Sequence, residues 1–177
     1  MLDANERIYG ARLTPAEAVD RIILDVRGRG DAALSDWSAR LDGVRRSAFE
    51  VPRARIRRAV AALAPELVEA LKLAAGEIER FHRRQARNSW VDFSVEGALG
   101  QLVLPLQRVG LYAPGGRAPL PSSLLMAAIP ARVAGVEEIV VCSPPQRDTG
   151  EVAEIVLAAA HIAGVDRVFA LGGAQAI

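Results

Sequence analysis

Residues 108–145 read RVGLYAPGGRAPLPSSLLMAAIPARVAGVEEIVVCSPP, and this stretch decides the fold. Val109 to Tyr112 is a short apolar run of strand type that Pro114-Gly115-Gly116 breaks abruptly, glycine being free to take φ angles closed to other residues. Pro119 and Pro121 hold the chain extended up to Ser122 or Ser123, either of which can cap a helix carrying Leu124, Leu125, Met126 and Ala128. Gly135 then closes that helix. Ile139 to Cys142 is continuously apolar and β-branched, which is how a strand buried on both faces of a parallel sheet reads. The stretch predicts a β-α-β unit. Its strand-to-turn junction lies at the carboxyl end of a parallel strand, where open α/β sheets take their ligands.

Downstream, the polar segment QRDTGE predicts a loop, Val152 to Ala163 a helix closed by Gly164, and Arg167 to Leu171 a third buried strand. Gly172-Gly173-Ala174-Gln175 then repeats the glycine turn at a strand end, so two such ends are expected to border one crevice. Upstream, Thr14-Pro15-Ala16-Glu17 is a capping box with proline at the first helical position, and Val19, Ile22, Ile23 and Val26 follow at helical spacing. Asp31 is expected to cap a second helix that stops at Asp42-Gly43. Two more helices follow, from Pro52 and from Pro65, before Trp90 to Leu106, whose weak alternation and two glycines suggest antiparallel strands. The pattern divides the α/β chain into a helical arm over residues 1–88 and an incomplete Rossmann-like parallel-sheet domain over residues 89–177, truncated at its C-terminus.

Composition narrows the function. The chain has 177 residues, 51% of them hydrophobic, enough for a sizeable core. With 22 basic and 21 acidic residues the net charge is +1, so no global field favours nucleic acid or an anionic membrane. The arginines at positions 45, 46, 53, 55, 57 and 58 lack interleaved aromatics and read as a solvated face. No segment has the length and apolarity of a membrane span, and the amino terminus lacks a signal-peptide pattern, so a cytoplasmic location is expected. The single cysteine, Cys142, sits in an apolar strand and reads as a structural thiol. His82 and His161 have no partners spaced as a metal set, and Ser122 and Ser123 are explained by capping. The turn is not G-x-G-x-x-G, so the standard dinucleotide fingerprint is absent.

Taken together, VGLYAPGGRAPLPSSLLMAAIPARVAG, the SPP that follows, the terminal GGAQAI, the upstream VDRIILDVRGRGDAAL with its LDG, and the helix end IERFHRRQ resemble the histidinol dehydrogenase family over nearly the whole chain. The resemblance implies NAD- and zinc-dependent oxidation of L-histidinol through L-histidinal to L-histidine, by a homodimer. It implies NAD contacts at Tyr112, from the GLY-PGG motif, and at Gln175, from GGAQAI. Members of that family are well over twice as long, and their zinc ligands and glutamate-histidine proton-transfer pair lie beyond the point corresponding to Ile177. No catalytic and no metal-binding residue is therefore assigned within this chain, which is expected to be the N-terminal portion of a longer polypeptide and inactive alone. A related dehydrogenase of another small alcohol, or a non-catalytic module binding a nucleotide or a partner, remain the alternatives.

Overall fold

The computed structural model describes residues 4–116 and 118–177. Helix α1 covers Ala4–Tyr9, α2 Pro15–Arg29, α3 Asp31–Leu41, α4 Arg53–Ala59 and α5 Pro65–Arg83. Strands β1 (Trp90–Ser94) and β2 (Gly97–Gln101) form an antiparallel hairpin, and β3 (Arg108–Tyr112), α6 (Pro121–Val133), β4 (Glu138–Ser143), α7 (Glu154–Ile162) and β5 (Arg167–Ala170) alternate behind it. A 3-10 turn over Ala174–Ala176 ends the chain.

Local chemistry sets the helix ends. At α2 the Thr14 side chain and the Glu17 carboxylate close a reciprocal capping box, and Gly30 at φ 57° terminates it. Two expected caps are not used. Helix α3 begins on Gly30, leaving Asp31 as its first residue, and α6 begins one residue before Ser122, with Leu120 at the cap and Pro121 opening the first turn. Proline's preset φ starts that helix, so neither serine hydroxyl is needed as a cap.

The parallel strands lie in the order β3-β4-β5, with Tyr112 beside Cys142 and Cys142 beside Phe169. Ile139, Val141, Val168 and Ala170 face one way and are fully buried against α6 and α7. Val140, Cys142 and Phe169 face the other way and are only half-buried. The apolar run over β4 thus alternates, because a helical layer covers one face among the described residues. Cys142 is half-buried, and its surroundings push the thiol above its ordinary pKa, away from the reactive thiolate.

The free edge of β5 is closed by residues 49–51: Val51 N–H donates to the Val168 carbonyl and Ala170 N–H to that of Phe49, each at 2.8 Å. This antiparallel addition satisfies backbone groups that an open edge would leave unpaired. Val51, Ile56, Ala59 and Leu71 join the core beneath the sheet, whereas Ile22, Ala33 and Trp37 form a separate cluster between α2 and α3. Ion pairs bind the helices to the α/β layer. Arg55 reaches Glu151 at 2.8 Å and Glu154 at 2.9 Å, Arg46 reaches Glu151 at 2.8 Å, and Arg167 grips Glu50 with two nitrogens. Arg46 and Arg55, read as part of a solvated basic face, are tethers between elements instead.

Candidate functional site

The carboxyl ends of β3, β4 and β5 open on a crevice of about 370 Å³ lined by residues from four segments. Tyr112 and the glycine turn come from β3, Pro144, Pro145 and Arg147 from the loop after β4, Gly173 from the turn after β5, and Asp42 from the end of α3. Parallel strands deliver this convergence because each ends at the same edge of the sheet and each must turn there into its crossover.

Close backbone approach explains the glycines. A Cβ on Gly115 would collide with the Ser143 hydroxyl, and one on Gly172 would lie 2.5 Å from the Pro144 Cβ. Gly173 sits at φ 65°, where a Cβ would also lie 2.6 Å from Gln175 Oε1. The two glycine turns are not adjacent, since β4 lies between β3 and β5. They meet nonetheless: the Gly173 N–H donates to the Tyr112 hydroxyl at 3.4 Å, across the tip of β4.

Tyr112 lines the crevice and is 45% exposed. Gln175 is not among the residues lining the crevice: it lies in the 3-10 turn after Gly173, 4% exposed, with both its amide nitrogen and its oxygen buried and without hydrogen-bond partners. A buried primary amide without partners carries the full cost of desolvation, on the order of 1–3 kcal/mol. Such a cost persists in a native fold where a ligand supplies the missing bonds or where neighbouring groups shift to meet it. Ser143 Oγ and Asp42 Oδ2 are buried and unpartnered in the same neighbourhood. Burial raises the Asp42 carboxyl above its ordinary pKa, and the Arg147 guanidinium works in the opposite sense.

Sequence reading missed Asp42, Ser143, Pro144 and Arg147. Apart from their part in the family resemblance, which assigned them no role, Asp42-Gly43 carried the signal of a helix stop and the SPP segment that of a strand end. A second depression, about 410 Å³, lies between α5, α6 and the end of α7. Its charged groups are already engaged: Arg83 with Glu79, and Arg132 with Asp166 at 2.8 Å and with the Gly164 carbonyl. The histidines stand apart from the crevice lining. His161 is exposed, and His82 is hydrogen-bonded through Nδ1 to Gln85 at 2.6 Å. No three His, Cys, Asp or Glu side chains among the described residues form a group that could hold a metal ion.

A parallel layer with a glycine-bordered crevice at its carboxyl edge places the protein in the Rossmann-like α/β class. Residues 10–177 match the family model described as histidinol dehydrogenase, and the chain belongs to that family. It is 51% identical over 177 residues to the histidinol dehydrogenase of Deinococcus radiodurans, covering 100% of this chain and 40% of that relative. It is 47% identical over 170 residues to that of Moorella thermoacetica, covering 94% and 40%. Among solved structures, histidinol dehydrogenase from Elizabethkingia anophelis superposes with a TM-score of 0.85 at 30% identity, over 98% of this chain and 41% of that one. The chain thus spans about 40% of the length of the curated relatives it matches. No helix among the described residues is long and apolar enough to cross a membrane.

Proposed function

We propose that this chain is the N-terminal portion of a cytoplasmic, homodimeric, NAD- and zinc-dependent histidinol dehydrogenase, and that its crevice holds part of the NAD. When bound, NAD supplies the hydride acceptor, and the chain's own residues bind and orient it. Tyr112 offers a ring wall and a hydroxyl at the mouth. The bare backbone at Gly115 and Gly116 lets a ligand approach the turn closely. Gln175 presents a donor and an acceptor, suiting a ribose hydroxyl or a carboxamide. The observation that carries the reading is the Gln175 amide, 4% exposed and unpartnered beside a glycine turn that a Cβ would close.

Zinc does not fit the described residues, which include no cluster of ligands for it. On this proposal its ligands and the proton-transfer pair belong to sequence beyond Ile177. The same division makes residues 1–88 a helical arm and residues 89–177 part of the coenzyme domain. Exposed apolar side chains on the arm, Val19 and Leu24 among them, suit packing on a second subunit. L-Histidinol-dependent NADH formation by the polypeptide encoded by the complete reading frame, set beside the 177 residues alone, tests the proposal. Activity in the first and none in the second is expected. Turnover by the isolated chain would refute its dependence on residues beyond Ile177. NAD-dependent turnover of a different small alcohol would move the substrate within the class, and NAD binding without turnover in either would make the chain a non-catalytic module.

A further inference from the structure

Rossmann-like sheets commonly carry an acidic residue near the tip of the second strand, where it accepts hydrogen bonds from a ribose. Here the second parallel strand, β4, ends in Ser143-Pro144-Pro145 and offers no carboxylate. A carboxylate nevertheless reaches the same place from far away in the sequence. Asp42 follows α3, and its main chain is fixed by an N–H bond to the Ser38 carbonyl at 2.9 Å. Its Oδ1 lies 3.5 Å from the position of a Cβ on Gly172, a position itself 2.5 Å from the Pro144 Cβ. Asp42 therefore stands beside the tip of β4 while lining the crevice with Tyr112, Gly115 and Gly173. Its Oδ2 is buried without a partner. No donor among the described residues meets it, which leaves this oxygen for a donor that arrives from outside.

Among the described residues, the other charged group lining the crevice is Arg147, whose guanidinium donates to the Leu41 carbonyl at 3.2 Å and so flanks Asp42 from the adjoining loop. A carboxylate can only accept, and its two oxygens match the two hydroxyls of a vicinal diol. A guanidinium only donates, and suits phosphate oxygens.

Building on the NAD reading above, we propose that Asp42 is the ribose-recognition residue of this crevice: its carboxylate receives the adenosine-ribose hydroxyls, in place of the acidic residue that β4 lacks, and Arg147 faces the adjoining phosphate. The helical arm thereby contributes directly to coenzyme selection.

The test compares affinities of the full chain for NAD and for its 2′,3′-dideoxyadenosine analogue, by calorimetric titration, in the native protein, Asp42→Ala, Asp42→Asn and Arg147→Ala. A charge-assisted hydrogen bond is worth roughly a tenfold difference or more in affinity. The native chain is expected to bind NAD about tenfold or more tightly than the analogue. Asp42→Ala should bind the two about equally, Asp42→Asn should fall between, and Arg147→Ala should weaken both while keeping their ratio. Undiminished discrimination in Asp42→Ala, or in Asp42→Asn should the alanine variant fail to fold, overturns the assignment of Asp42 and leaves the NAD reading standing. Absence of NAD binding by the native chain overturns both.

Discussion

Replacing Gly172 with alanine should destabilise the fold more than its one added methyl suggests. Gly172 is buried at the end of β5, and the new Cβ would lie 2.5 Å from the Pro144 Cβ and 3.2 Å from its Cα. Both neighbours are stiff, being proline ring and backbone followed by a second proline, so the strain cannot relax by rotating a side chain. Overpacking of this kind costs about 1–3 kcal/mol. At about 2–4 °C per kcal/mol for a chain of this size, the melting temperature should fall by roughly 2–12 °C. Gly28 and Gly76 supply the controls. Both lie in helices, at ordinary negative φ, with nothing within 4 Å of an added Cβ. Alanine at either removes the entropic cost of helical glycine, a gain of roughly 0.5–1 kcal/mol. Thermal and urea unfolding of the three variants, followed by circular dichroism, gives the comparison. A Gly172→Ala variant as stable as Gly28→Ala would refute the close approach of β5 to Pro144, and with it the crevice geometry.

In Gly173→Ala, the left-handed backbone at φ 65° and a Cβ 2.6 Å from Gln175 Oε1 should displace the glutamine amide, and calorimetry should show NAD affinity falling about tenfold or more. Tyr112→Phe removes only an acceptor for a 3.4 Å bond from Gly173, so unfolding should show a loss under about 1 kcal/mol while NAD titration shows weakened binding. Trp37 is 3% exposed and donates to Asp25 at 2.8 Å, so Trp37→Ala should cost roughly 3–5 kcal/mol in urea unfolding. The bidentate Arg29 pair, aided by Trp37, lowers the Asp25 carboxyl to about 2. A depressed carboxylate pKa gives stability that is present above the unfolded value and lost as pH falls through the folded one. Asp25→Asn should therefore flatten the loss of stability between about pH 4 and pH 2.

The β-α-β unit was legible because its signals are local. A continuous apolar run, a Pro-Gly-Gly break and a helix stop at Gly135 each act within a few residues, and they placed β3, α6 and β4 within one or two positions. The capping box at Thr14 was legible for the same reason. Asp31 and the Ser122-Ser123 pair misled because glycine and proline also start helices, and at both sites the neighbouring residue did so. Cys142 misled because a run of β-branched residues does not reveal whether one face of a sheet or both are covered. The closure of the β5 edge by Phe49–Val51 left no pattern, since pairing across more than a hundred residues has no periodicity to read. Asp42 was invisible as a site residue for a related reason: Tyr112, Pro144 and Gly173, with which it lines the crevice, are distant in sequence, and its local pattern announces the end of a helix.

The most direct test of the central claim is a titration of the isotopically labelled chain with NAD, read by amide chemical shifts. Shifts concentrated at Tyr112, Gly115, Gly116, Gly173 and Gln175 are predicted. Unchanged spectra at saturating NAD, or shifts confined to the depression between α5 and α6, would contradict a coenzyme crevice at the carboxyl ends of the strands.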